Sequence, residues 1–182
     1  MDNVVDEFRK IVAAVSAEML PQLQAYDPLI SAVHYEHGHP IEVINKMGAK
    51  DKLPTERFNK YPLIALFEDF PEKDGVVSLH LIIARATKPT YDAPKRYELN
   101  FNPVLTPVFD SLMKQISYST FFKEYSERTI ERQKINRVSW GKEGLFGSQG
   151  NIFNDYIDCI EVRDLSLRLA EPTCTLSKKL KF

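Results

Sequence analysis

The sequence predicts a single α+β domain spanning residues 1–182, and three observations carry that reading. Two stretches place apolar residues at helical spacing, several shorter runs are apolar continuously or in alternation, and the connections between those runs are short enough to favour antiparallel pairing. The expected architecture is a mainly antiparallel sheet of four or five strands, two helices packed on one face, and a long arm at 117–154 before the last strand. A chain of this length buries a core without disulfide or metal support.

The first helix is set by Val4, Val5, Phe8, Ile11, Val12, Val15 and Met19, which recur every three or four residues and form one stripe. Asp2 or Asn3 caps its start, and Pro21 is expected just beyond its end. In HYEHGHPIEVINKM, Ile41 and Val43 alternate against Glu42, which predicts a short strand followed by a polar loop. YPLIALFEDF holds the unbroken run Leu63 to Phe67, too short for a lone helix and so a strand buried on both faces. The turn PEKDG leads to VVSLHLIIARAT, where Val77, Leu79, Leu81 and Ile83 share one face and Ser78 and His80 the other, completing an antiparallel hairpin.

Tyr97, Leu99 and Phe101 alternate with Arg96, Glu98 and Asn100, which reads as a half-buried strand ending at Asn102. Asn102 and Pro103 then read as a cap and first-turn proline for a second helix carrying Leu105, Val108, Phe109, Leu112, Met113 and Ile116. The last strand, YIDCIEVRDLSLRL, is apolar at Ile160 and Val162 and again at Leu165, Leu167 and Leu169. The inward parity changes near Arg163 and Asp164, so a bulge is expected there.

The segment 117–154 is charge-dense and then glycine-rich, and an excursion of that length is characteristically functional. Phe121, Phe122, Trp140 and Phe146 would be its apolar anchors, with Arg128, Arg132 and Arg137 among its cations, which makes it a candidate assembly arm. A basic and aromatic mixture of this kind also suits single-stranded nucleic acid, but Glu124, Glu127, Glu131 and Glu143 nearly neutralise it. The glycines of GKEGLFGSQG match no phosphate loop, since Lys142 is followed by Glu143.

His34, His37 and His39, with Glu36 among them, raise the alternative of a small metal-dependent hydrolase. Strand parity separates His34 from the other two, and no later side chain completes a ligand set, so neither a metal nor another cofactor is expected. With 24 basic and 25 acidic residues the net charge is −1, which gives no long-range attraction to nucleic acid or anionic membrane. Cys159 and Cys174 form no CxxC pair and are expected as reduced thiols. The start MDNVVDEFRK has no signal-peptide character, and no run reaches the roughly 18 apolar residues of a membrane span.

The order of these elements, with HGHPIEVINKM, KYPLIALFEDF and DYIDCIEVRDLSLRL as its most telling segments, resembles the small neck proteins of tailed bacteriophages: the head-to-tail connector, head-completion and tail-terminator group. The resemblance implies a non-enzymatic virion protein, assembled in the bacterial cytoplasm as a subunit of a six- or twelve-fold ring between portal and tail proteins. DNA would pass through such a ring without sequence-specific recognition. A nucleic-acid-binding accessory protein using the Lys123 to Lys142 segment is the remaining alternative.

Overall fold

A computed structural model describes residues 3–50, 52–53, 60–67, 72–123, 129–140 and 156–170, with 139 and 140 described by their backbone. The chain is α+β. Helix α1 is Val4–Tyr26, strand β1 His34–Gly38, helix α2 Pro40–Lys50, strand β2 Leu63–Phe67, strand β3 Glu72–Lys73 and strand β4 Val76–Ala86. A helical rod follows without a break, as helix α3 Ala93–Arg96, a π-helical segment Tyr97–Leu105 and helix α4 Thr106–Tyr118. Strands β5 Gln133–Trp140 and β6 Ile157–Arg168 complete it. The sheet has six strands in the order β1-β2-β4-β6-β5, with β3 paired to β4 beside that path. Its pairings are antiparallel except β1 with β2, which run parallel and are joined through α2.

Asn3 caps α1, its side chain accepting from the Asp6 amide at 2.9 Å. The apolar stripe Phe8, Ile11, Val12, Val15, Met19 and Leu23 is buried. Pro21 lies inside this helix rather than beyond it, and the chain continues to Tyr26 before Asp27 leaves helical geometry. Side-chain parity divides the sheet. Ile64, Leu66, Val77, Leu79, Leu81, Ile83, Ile160 and Val162 share one buried cluster with residues of α1 and the rod. Leu63, Ala65, Phe67, Ile82, Ala84, Ile157 and Cys159 share a second with Val43, Ile44 and Met47 of α2. The run Leu63 to Phe67 is accordingly buried at every position.

The expected bulge is present. Leu79 pairs with Leu165 and Leu81 with Val162, so His80 alone faces two residues, Arg163 and Asp164. Asp164 absorbs the extra residue at φ 51°, a left-handed conformation that Asp tolerates better than most side chains. Asp74 and Gly75, both at positive φ, close the β3–β4 hairpin with two residues.

Four expectations need correction. The segment from Tyr97 to Asn102 is helical, not a strand, and the cap is Asp92, which accepts from the Lys95 amide at 3.0 Å, with Pro94 in the first turn. Pro103 sits within the rod. It has no N–H and in an α-helix its ring would collide with the carbonyl four residues back; the wider π-helical turn accommodates it, and that carbonyl, of Leu99, accepts from Tyr26 Oη at 2.9 Å. Ile41 and Val43 belong to α2 rather than to a strand, because Pro40 opens a helix there. The sheet is mixed and has more strands than expected. Finally, 133–140 does not project as an arm: β5 is a strand of the main sheet, paired along β6.

Candidate functional site

The histidines of HYEHGHP are held apart. Glu36 turns to α2, where Lys50 Nζ donates to its Oε1 at 2.7 Å. His37 presents its carbonyl to Lys46 Nζ at 2.9 Å, and His39 lies past the strand, its Nδ1 accepting from the Ile41 amide at 3.3 Å. His34 Nε2 is buried without a hydrogen-bond partner, and burial first, then the Lys50 charge, pull its pKa below the ordinary value against the pull of Glu36. Among the described residues no group of three or more His, Cys, Asp or Glu side chains is arranged to hold a metal ion.

The proposed arm residues scatter over the fold. Phe122 is buried, bridges to Leu169 and meets Phe8 edge-on at 6.2 Å. Phe121 packs edge-on to it at 5.2 Å and lies partly buried against the same cluster. Phe122 is thus a core residue, and Phe121 packs on it at the edge of the core. Arg132 donates to the Ile130 carbonyl and lies over the Phe109 ring. Arg137 pairs with Glu161 through Nε and Nη2, each at 2.9 Å. Trp140 pairs with Ile157 through the backbone of β5. Arg128 and Phe146 lie outside the described residues.

Two polar constellations stand out instead. The first surrounds Glu161, buried to 1 % on β6, whose Oε1 accepts from Arg163 Nε at 2.7 Å and faces His80 Nε2 at 3.0 Å while Oε2 takes Arg137. Burial pushes this carboxyl up, but the hydrogen bonds and charges of Arg163 and Arg137 outweigh it and hold the pKa below the usual range. A carboxylate with every oxygen engaged has no lone pair to offer as a general base, so it ties β4, β5 and β6 together beside the bulge.

The second lies at the other end of β6. Asp158 is fully buried and is met by Arg96 Nη1 at 2.9 Å and Asn100 Nδ2 at 2.6 Å. Arg96 also donates to Thr87 Oγ1, the Tyr91 carbonyl and the Lys88 carbonyl, so one guanidinium shapes the whole 87–91 loop. In front of this network is a concave pocket of about 340 Å³ lined by Tyr26, Arg85, Ala86, Thr87, Lys88, Tyr91, Leu99 and Asn100. No family model matches this chain, and no curated protein or solved structure matches it.

The rigid parts of the fold position this pocket. Arg85 continues the inward parity of Val77, Leu79, Leu81 and Ile83 past the edge of the core, where Asp27 at the end of α1 binds its Nη2 at 2.8 Å. Tyr26 lies over the same guanidinium at 5.3 Å. Tyr91 carries Lys88 and Lys95 within 6 Å of its ring, at 5.7 and 5.2 Å. Among the described residues the lining offers cations and hydroxyls and no carboxylate, imidazole or thiol, an arrangement suited to holding an anionic ligand. The sequence signal was Arg85 itself, a charge on the inward parity of an otherwise apolar strand.

Proposed function

We propose that the chain is a structural subunit of the tailed-phage head-to-tail joint, a connector or tail-terminator ring protein that works by contact with copies of itself and with neighbouring portal and tail proteins. The observation that carries the reading is the asymmetry of the two sheet edges. At β1 the outer edge is blunted by Lys46, whose ammonium takes the His37 carbonyl. Among the described residues strand β5 ends the sheet on the other side, eight residues long, with Val138 exposed to 44 %. A long edge strand is a template for pairing with another chain, and a ring needs one surface that meets a different surface of the next copy.

The α+β layering supports the same reading: α1 and the rod are taken together as the layer over one face of the sheet, which leaves β5 at the flank of the subunit. The sequence resemblance of KYPLIALFEDF and DYIDCIEVRDLSLRL to the neck proteins supports it as well. Negative-stain microscopy of the purified chain at micromolar concentration tests this, with closed rings of six or twelve subunits as the expected result. A chain that stays monomeric alone and in the presence of portal and tail proteins contradicts it.

A further inference from the structure

We propose that the pocket between the end of β4, the 87–91 loop and the C-terminal turn of α1 binds a phosphate monoester. The proposal stands independently of the ring reading.

Charge is the first argument. Among the described residues two cations, Arg85 and Lys88, line the pocket and no carboxylate does. The nearby acids are occupied: Asp27 by Arg85 Nη2, Asp158 by Arg96 and Asn100, and Asp92 by the Lys95 amide it caps.

Hydrogen bonding is the second. Three carbonyls around the pocket are engaged. The Lys88 carbonyl takes Arg96 Nη2 at 2.9 Å and the Tyr91 amide at 3.1 Å; the Tyr91 carbonyl takes Arg96 Nε at 2.7 Å; the Leu99 carbonyl takes Tyr26 Oη at 2.9 Å. Donors stand beside these engaged carbonyls. Arg85 Nη1 is shielded from water and donates to nothing. Thr87 Oγ1 accepts from Arg96 Nη1 at 3.1 Å, which leaves its own hydrogen to give. Lys88 is exposed and rests against the Tyr91 ring. An oxyanion in the pocket can take the Thr87 hydroxyl and the Lys88 ammonium directly, and it meets Arg85 through its charge, since Nη1 is closed to solvent.

Size and shape select the class of oxyanion. A hydroxyl, an ammonium and the guanidinium charge beside them suit the dianion of a phosphate monoester better than the single charge of a carboxylate. The volume of about 340 Å³ lies at the lower end of the range of about 300–1,000 Å³ usual for small-molecule sites, leaving space for the ester's organic group beside Tyr26 and Tyr91. Burial lowers the Arg85 pKa, opposed by the Asp27 charge, so the site gains when a second negative charge arrives.

The test is a ¹⁵N NMR titration of the full chain with phenyl phosphate, inorganic phosphate and phenol. Saturable shifts at the amides of Thr87, Lys88 and Asn100 are expected from phenyl phosphate, weaker ones from inorganic phosphate, and none from phenol. Lys88→Ala removes an exposed side chain and should weaken phenyl phosphate by about tenfold, as loss of one charge-assisted bond does. Arg85→Gln should weaken it at least as much, with its fold checked by the unchanged remainder of the spectrum. Shifts confined to other parts of the molecule, no saturation, or unaltered affinity in Lys88→Ala would overturn the site. Equal affinity for inorganic and phenyl phosphate would overturn the assignment of an ester.

Discussion

Arg96 reaches from the helical rod to Asp158 on β6 with Nη1 2.9 Å from Oδ1, and both side chains are almost wholly excluded from water, at 4 % and 0 % exposure. The pair joins two elements 62 residues apart in sequence, and Asn100 completes the carboxylate's shell from one turn further along the rod. Arg96→Ala leaves a buried carboxylate without its countercharge, which typically costs about 3–5 kcal/mol. Urea denaturation measures it. Replacing both members, as Arg96→Met with Asp158→Leu, should recover most of the loss, because the cost lies in the unpaired charge; a double variant less stable than either single one would contradict this account of the network.

Leu66 on β2 is fully buried between His37 of β1 and Leu81 of β4 in the sheet register. Leu66→Ala removes that burial and leaves a cavity, for an expected loss of about 2–5 kcal/mol. An exposed control such as Leu29→Ala, at 79 % exposure, should change stability by less than about 0.5 kcal/mol. Equal melting temperatures for the two variants would place β2 outside the core.

Acid should weaken the fold in two steps. His80 and His34 have pKa values below their ordinary 6.5, burial being the chief cause in both; His80 is held down despite Glu161 and Asp164, with Arg163 assisting. The unfolded chain therefore takes up these protons before the folded chain does, and stability falls as pH drops below about 6.5. Glu18 supplies the second step. Its hydrogen bonds from Lys114, Gln115 and Ser111 lower its pKa from 4.5 to about 2, so its contribution is present above 4.5 and is lost as pH falls from there towards 2. Denaturation midpoints measured from pH 7.5 to 2.5 should show both slopes, with Glu18→Gln flattening the lower one and His80→Gln reducing the upper one.

Cys159 is a free, buried thiol facing Ala84 on β4, and burial pushes its pKa well up, with the Glu161 charge in the same direction. In a Cys174→Ser background it should resist a thiol reagent at pH 8 while the protein is folded and react promptly in denaturant. Rapid labelling of the native protein would contradict the placement of this end of β6.

The comparison of sequence with fold turns on polar residues in buried places. Leu63 to Phe67 and the parity break at Arg163 and Asp164 were legible because apolar patterning alone carries them. The rod was split in two because its buried stripe contains Arg96 and Asn100, whose partner Asp158 is distant in sequence, and Tyr97, Leu99 and Phe101 then mimic strand alternation over five positions. Over the longer window Arg96, Asn100, Val104, Val108, Leu112 and Ile116 recur every fourth residue, and all are buried. Strand β5 was hidden for a related reason. Its Arg137 satisfies Glu161 on β6, and from sequence alone a charge that pairs across a sheet looks the same as one facing solvent. The pocket is not legible in the sequence because a loop, TKPTYDAPK, supplies three of its eight lining residues, and loops carry no periodicity.

Hydrogen exchange along β5 tests the assembly reading most directly. The proposed function requires the outer edge of Gln133–Trp140 to be covered by the next copy, so the alternate backbone amides that point away from β6 should exchange fast in a dilute subunit and slowly at ring-forming concentration, while those of β1 stay unchanged. Val138→Lys should abolish that concentration dependence and leave the protection of β4 and β6 intact. Exchange along β5 that is the same at both concentrations, or protection that appears at β1 instead, would contradict a ring joined through this edge.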